Sequence, residues 1–193
     1  MKKLLAFIMI MLVLTACDNS ILPKSNSINP TKLTEREEVI LSNTSDQAFV
    51  FDFNVENSYK KVSVWVEKYE FGKLVGKVND IGTEVNKSGQ IILSVSKLNE
   101  AALESIFTLT VSSDGGSASG WGPEKMIEMP SVVTGVNQNE NISLECNEAL
   151  ASIIYSKQSG ISSMSPELYK DVDGQIDEIA QHDVVYLLKA KFD

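Results

Sequence analysis

Trp65, Glu67 and Tyr69 alternate with Val62, Val64 and Val66, so in an extended chain they form one face, an aromatic, an acid and an aromatic in a row. Such a row can stack a sugar ring or grip a peptide, with the carboxylate taking hydrogen bonds from hydroxyls or amides. The same side chains can pair with neighbours on adjoining strands, each contact worth ~0.2–1 kcal/mol. That structural reading is the stronger one, because open aromatics would leave an exposed patch. Trp121 stands near the end of the glycine- and serine-rich stretch from Ser112 to Pro123, which reads as a long loop. Loops often hold binding sites, but the stronger expectation is a tryptophan that plugs the end of the fold. Trp65, Glu67, Tyr69 and Trp121 are the candidate ligand-binding residues.

Other groups offer less. Asp171, Asp173 and Asp177 give the acid density of a calcium site but lack the alternating ligands and distal glutamate of a calcium-binding loop, and on a helix they would form a solvated face. They remain weak metal candidates. His182 is the sole histidine, which excludes zinc sites built on several imidazoles. No G-x-S-x-G elbow accompanies it, and Gln181-His182-Asp183 reads as a polar junction. Gly72-Lys73-Leu74-Val75-Gly76-Lys77 is too short for a phosphate-binding loop, and Val78 replaces the hydroxyl that would touch magnesium. No catalytic set and no cofactor is expected.

The elements that must position these groups are strands. Phe49, Phe51, Phe53 and Val55 alternate with Val50, Asp52 and Asn54. Val62–Tyr69 does the same, and Phe71-Gly72-Lys73 predicts a hairpin turn into Leu74–Val78. Further strands are expected at Gln90–Ser96, Ile106–Ser112, Glu140–Cys146, Ala149–Tyr155 and Asp183–Phe192. Lys97 to Ser105 could add a helical turn. Ser165-Pro166-Glu167 is a helix start, and Leu168, Val172, Ile176 and Ile179 supply an apolar stripe behind it, weakened by Gly174. The expected fold is a mainly β, antiparallel β-sandwich-like single domain with one short C-terminal helix before the last strand.

The N-terminus carries an address. Lys2 and Lys3 precede an apolar run from Leu4 to Leu14, and Leu14-Thr15-Ala16-Cys17 follows. The run is shorter than the ~20 residues a spanning helix needs. Leu14 spoils an ordinary small-x-small cleavage site, whereas an aliphatic residue, two small residues and Cys match a lipoprotein signal. Residues 1–16 are read as signal peptide, residues 17–33 as lipidated Cys17 and flexible tether, and residues 34–193 as a β-rich extracytoplasmic domain. Two acyl chains on Cys17 hold a protein stably where one does not. Cys146 is then left without a partner in the chain and reads as a small buried hydrophobe.

The chain carries 17 basic and 26 acidic residues, net −9; losing Lys2 and Lys3 leaves 15 against 26, or −11. That charge disfavours nucleic acid as a partner and gives an anionic membrane no electrostatic hold on the protein. The segments from Val62 to Lys73, Ala149 to Ser156 and Asp183 to Lys189 resemble those of small, uncharacterised lipoproteins of low-GC Gram-positive bacteria. The resemblance implies an anchored β-rich domain on the outer face of the cell membrane and carries over no catalytic residue. The expected function is a non-enzymatic module that binds a glycan or an envelope protein. The alternative is an envelope hydrolase that uses paired carboxylates on polysaccharide, which requires two acids about 5–10 Å apart, one with a raised pKa.

Overall fold

The computed structural model describes residues 26–99, 103–126, 129–139, 142–144 and 148–193. Among these, the strands are β1 (Ser27–Pro30), β2 (Gln47–Asn54), β3 (Lys61–Glu70), β4 (Lys73–Glu84), β5 (Ser88–Asn99), β6 (Glu104–Ser113), β7 (Gly116–Lys125), β8 (Ser131–Val136), β9 (Ile142–Ser143), β10 (Ala149–Ser156) and β11 (Val184–Phe192). The helices are α1 (Glu35–Thr44), α2 (Pro166–Lys170) and α3 (Ile176–Ile179). No described helix is long and apolar enough to cross a membrane.

Two sheets form the sandwich: six strands in the order β7-β6-β5-β2-β1-β9 and five in the order β4-β3-β11-β10-β8. Every pairing is antiparallel. Alternation decides which side chains go between the sheets: Phe49, Phe51 and Phe53 from β2, Val62, Val64 and Val66 from β3, Ile91 and Leu93 from β5, Phe107 and Leu109 from β6, and Tyr186 and Leu188 from β11. Full burial of each such side chain is worth about 1.5–3 kcal/mol. The five-stranded sheet has a second buried layer on its outer face, where Leu168, Tyr169, Val172 and Ile179 cover Ile154, Val185, Leu187 and Tyr69. The apolar stripe behind Pro166 therefore does pack on the sheet. It does so as two short helices, because the Asp171 carboxylate accepts the Gly174 N–H and turns the chain between them.

Several expectations are corrected. Residues 27–31 are not tether: β1 pairs with β2 and β9 inside the six-stranded sheet, Ile28 joins the core, and the Thr31 N–H donates to the Val50 carbonyl at 2.9 Å. Its Pro30 is tolerated because it ends the strand. The stretch from Ser112 to Pro123 is not a loop: Ser112 and Ser113 end β6, Asp114-Gly115 turns the chain, and β7 pairs with β6 along its whole length. Where Lys97–Ser105 is described it is the end of β5 and the start of β6, not helix. Helix α1 was not expected. Thr34 caps it, its hydroxyl accepting the Glu37 N–H while the Glu37 carboxylate accepts the Thr34 N–H at 2.8 Å. Cys17 and the tether up to Ser25, the strand positions 140–141 and 145–146, and Cys146 itself lie outside the described residues.

The strand directions give the sandwich two ends. Asn54, Lys61, Glu84, Ser88, Ser113, Ser143 and Ala149 lie at the end where β1 begins. The β3–β4 turn, α1 and the start of β8 lie at the other. Phe71 (φ 50°) and Gly72 (φ 78°) take the left-handed conformation needed for the two-residue β3–β4 turn, and Phe71, Leu74 and Val75 are exposed on its tip.

Candidate functional site

The structure brings Trp65, Glu67 and Tyr69 together on the outer face of β3 and closes them in. The Trp65 indole N–H donates to Oε1 of Glu67 and the Tyr69 hydroxyl donates to Oε2, both at 2.8 Å. Lys189, opposite Trp65 on β11 and only 3% exposed, places Nζ 2.8 Å from the same Oε2. Lys77 from β4 lies over the Trp65 ring, 4.7 Å from its centre. Burial pushes the Glu67 carboxyl up, but the Lys189, Trp65 and Tyr69 hydrogen bonds and the lysine charge outweigh it and hold the carboxyl below its ordinary range. Burial, then the adjacent Glu67 carboxylate, pushes the Tyr69 phenol up. The result is an ionised carboxylate with each oxygen engaged, between rings that keep 8% and 4% of their exposure. This row has little surface left for a ligand; what it does is tie β3, β4 and β11 together.

Trp121 is the opposite case. It lies on β7 opposite Thr108 of β6 and is 70% exposed. The expected plug is overturned by register. Gly120 and Gly122 take the inward positions opposite Leu109 and Phe107, which sends Trp121 out. Around it the outward positions of the six-stranded sheet carry Thr108, Thr110 and Ser119, with Ser94 beyond on β5. The Thr110 and Ser119 hydroxyls are 2.8 Å apart. Helix α1 buries no side chain, and α2 and α3 pack on the other sheet, so no described helix buries this face. A rigid indole among hydroxyls can stack a planar or pyranose ring and hydrogen-bond its rim.

The remaining candidates do not assemble. Asp171, Asp173 and Asp177 are exposed, the first caps the turn at Gly174, and among the described residues no three His, Cys, Asp or Glu side chains converge as metal ligands. His182 sits at the junction before β11; burial lowers its pKa against the opposing charges of Glu178 and Asp183. Glu148, half-buried before β10, has its carboxyl raised, mainly by burial.

A family model described as the YgaN domain matches residues 27–192. The chain belongs to the YgaN domain family. No curated protein and no solved structure matches it. The matched span runs from the first residue of β1 to the last of β11, so the YgaN domain is the whole sandwich, β1 included.

Three polar groups that hold this YgaN domain together were not apparent from alternation. Lys189 sits in a run of apolar residues and discloses nothing until β11 is placed beside β3. Asn79 on β4 reaches across to the other sheet, its Nδ2 donating to the carbonyls of Phe107 and Gly120 at 2.9 Å each. That approach needs the bare backbone of β7: a Cβ on Gly122 would stand 2.1 Å from the Val78 carbonyl oxygen, and one on Gly120 would stand 2.5 Å from Ile81. Nearer the β3–β4 turn, Lys68 bridges the sheets, 2.7 Å from Glu124 on β7 and 2.8 Å from Glu70. Burial lowers the Lys68 pKa, yet the two carboxylates more than reverse this and leave it raised. The YgaN domain is thereby clasped along its β4–β7 side, beneath the strand that carries Trp121.

Proposed function

We propose that the protein is a lipid-anchored, non-catalytic binding module on the outer face of the cell membrane, and that it binds glycan on the Trp121 face of the six-stranded sheet. The observation that carries this reading is Trp121 itself: a tryptophan 70% exposed on a hydrogen-bonded strand, beside hydroxyl side chains. Anchoring is supported by the apolar run and the Leu14-Thr15-Ala16-Cys17 site. An indole held by a strand loses no backbone entropy when a ring stacks on it, which makes it an economical platform. The experiment is co-sedimentation of the chain from residue 17 onward, carrying Cys17→Ser, with insoluble cell-wall polysaccharide. Trp121→Ala should weaken binding at least about tenfold, equivalent to ~1.4 kcal/mol of lost stacking, with unchanged thermal stability. Equal binding by the two proteins would sink the assignment of this face. In cells, Cys17→Ala should release the protein from the membrane fraction.

A further inference from the structure

The face that carries Trp121 differs from the rest of the surface in its charge. Acids and bases make up 22% of the chain, yet none occurs in residues 88–96, 105–113 or 116–123. These are the three adjacent strands β5, β6 and β7, apart from the one end where Lys97, Glu104, Glu124 and Lys125 stand. A solvated face is ordinarily dotted with charges of both signs. The outward acid of the next strand, Asp52 on β2, already accepts the Gln90 side-chain amide at 2.9 Å.

Register gives this face its relief. Trp121 lies opposite Thr108, Thr108 opposite Ser94, and Ser94 opposite Ala48, so these outward side chains form one row across β7, β6, β5 and β2. Beyond the tryptophan the row is small. Ile92 and Val50 flank it on one side, Ile106 and Pro123 on the other. Thr108, Ser94 and Ala48 therefore floor a shallow trough with aliphatic walls and the exposed indole at its β7 end. It crosses the strands for roughly 14 Å at the usual strand spacing.

We infer, resting on the glycan reading of Trp121 above, that the trough holds an uncharged, extended polysaccharide laid across the strands, one ring stacked on Trp121 and the next two over Thr108 and Ser94. Its walls suit the C–H surfaces of sugar rings and its hydroxyls their polar rims. The interval between strands, about 4.8 Å, is close to the length one ring adds to an equatorially linked pyranose chain. A polysaccharide bearing phosphate or carboxylate would meet no cation along the row, and the net charge of −9 would repel it. A protein surface is the poorer occupant, because protein interfaces are depleted in serine and alanine, and both floor this trough.

The test is calorimetric titration of the chain from residue 17 onward, carrying Cys17→Ser, with one backbone in two charge states: neutral hydroxyethyl cellulose and anionic carboxymethyl cellulose. The neutral polymer should bind about tenfold more tightly or better. Among cello-oligosaccharides, affinity should climb to about three rings, the length of the trough, and then level. Ser94→Ile raises the floor two strands away from Trp121 and should weaken binding about tenfold. Ser117→Ile, on β7 but outside the trough, should leave binding unchanged, and both variants should keep the thermal midpoint within a few degrees. Equal binding of the two polymers, a plateau at one ring, or indifference to Ser94→Ile overturns the trough and its neutral occupant. So does binding to neither polymer while wall polysaccharide is still held through Trp121, and in each of these cases the glycan reading itself survives. Wall binding that Trp121→Ala leaves untouched removes that reading and the trough with it.

Discussion

Replacing Lys189 by methionine separates a structural carboxylate from a reactive one. In the native protein Glu67 takes hydrogen bonds from Trp65 and Tyr69 at 2.8 Å, and Lys189 stands 2.8 Å away as its counter-charge. Methionine preserves most of the volume and removes the cation. Breaking a buried pair by deleting one partner costs ~3–5 kcal/mol, because the other charge stays behind. For a domain of this size that is about 6–20 °C in thermal midpoint. The pH dependence should weaken. Native Glu67 has a folded pKa below its ordinary value of 4.5, so the stability it contributes is present above that value and is lost as pH falls through the folded pKa. Without Lys189, both lysine contributions are gone and burial is opposed only by the Trp65 and Tyr69 hydrogen bonds, so the folded pKa moves up from its native value. The stability that the native carboxylate contributes above its ordinary pKa shrinks accordingly. Urea unfolding of both proteins from pH 4 to 8 reads this directly. The double variant Lys189→Met/Glu67→Gln should recover most of the loss at pH 7, since no charge is left buried. A cost below about 1 kcal/mol at pH 7, or parallel pH profiles, would refute the reasoning.

The two tryptophans should behave oppositely. Trp65→Ala should cost ~3–5 kcal/mol by urea unfolding, for the buried ring and the lost donor to Glu67, whereas Trp121→Ala should fall within ~0.5 kcal/mol. Gly122→Ala should destabilise by more than ~1 kcal/mol, because its Cβ would meet the Val78 carbonyl at 2.1 Å; Asn79→Ala should cost ~1–3 kcal/mol at the same junction. Circular dichroism melts of the pair would show whether the β4–β7 clasp behaves as one unit. Thr34→Ala should speed amide exchange across α1 by the equivalent of ~1 kcal/mol and leave the global midpoint nearly unchanged, since α1 buries no side chain.

What could be read from the sequence follows from how each segment is buried. β2, β3, β5, β6, β10 and β11 each place bulky apolar residues at period two or in a continuous run, and they were legible for that reason. β7 was not: its inward positions are Ala118, Gly120 and Gly122, which leave space that β4 fills, so the alternation is there without apolar bulk to show it. β1 was masked by Ser27, Asn29 and Pro30, turn residues by type, with Ile28 alone to mark the core. Helix α1 lacks an apolar stripe because it buries no side chain, yet the Thr34-Glu35-Arg36-Glu37 capping signature was present to be read. In the site, the spacing of Trp65, Glu67 and Tyr69 showed that they share a face. It could not show that Lys189 and Lys77 arrive from other strands to close it.

That difference governs how the two aromatic sites weigh functionally. A carboxylate between two rings is the more chemical pattern in a list of residues, but here its oxygens are engaged and the rings keep under a tenth of their surface. A lone tryptophan among serines and glycines is the poorer motif, yet it is held on a paired strand with its ring in solvent. Folding stabilises the first arrangement whether or not a ligand exists. It gains little from the second, since the outward face of β7 would be satisfied by serine there, as it is at Ser117 and Ser119. The proposed glycan contact rests on this large ring standing in solvent where the fold does not need it, and that places the glycan test at Trp121 ahead of any test at Glu67.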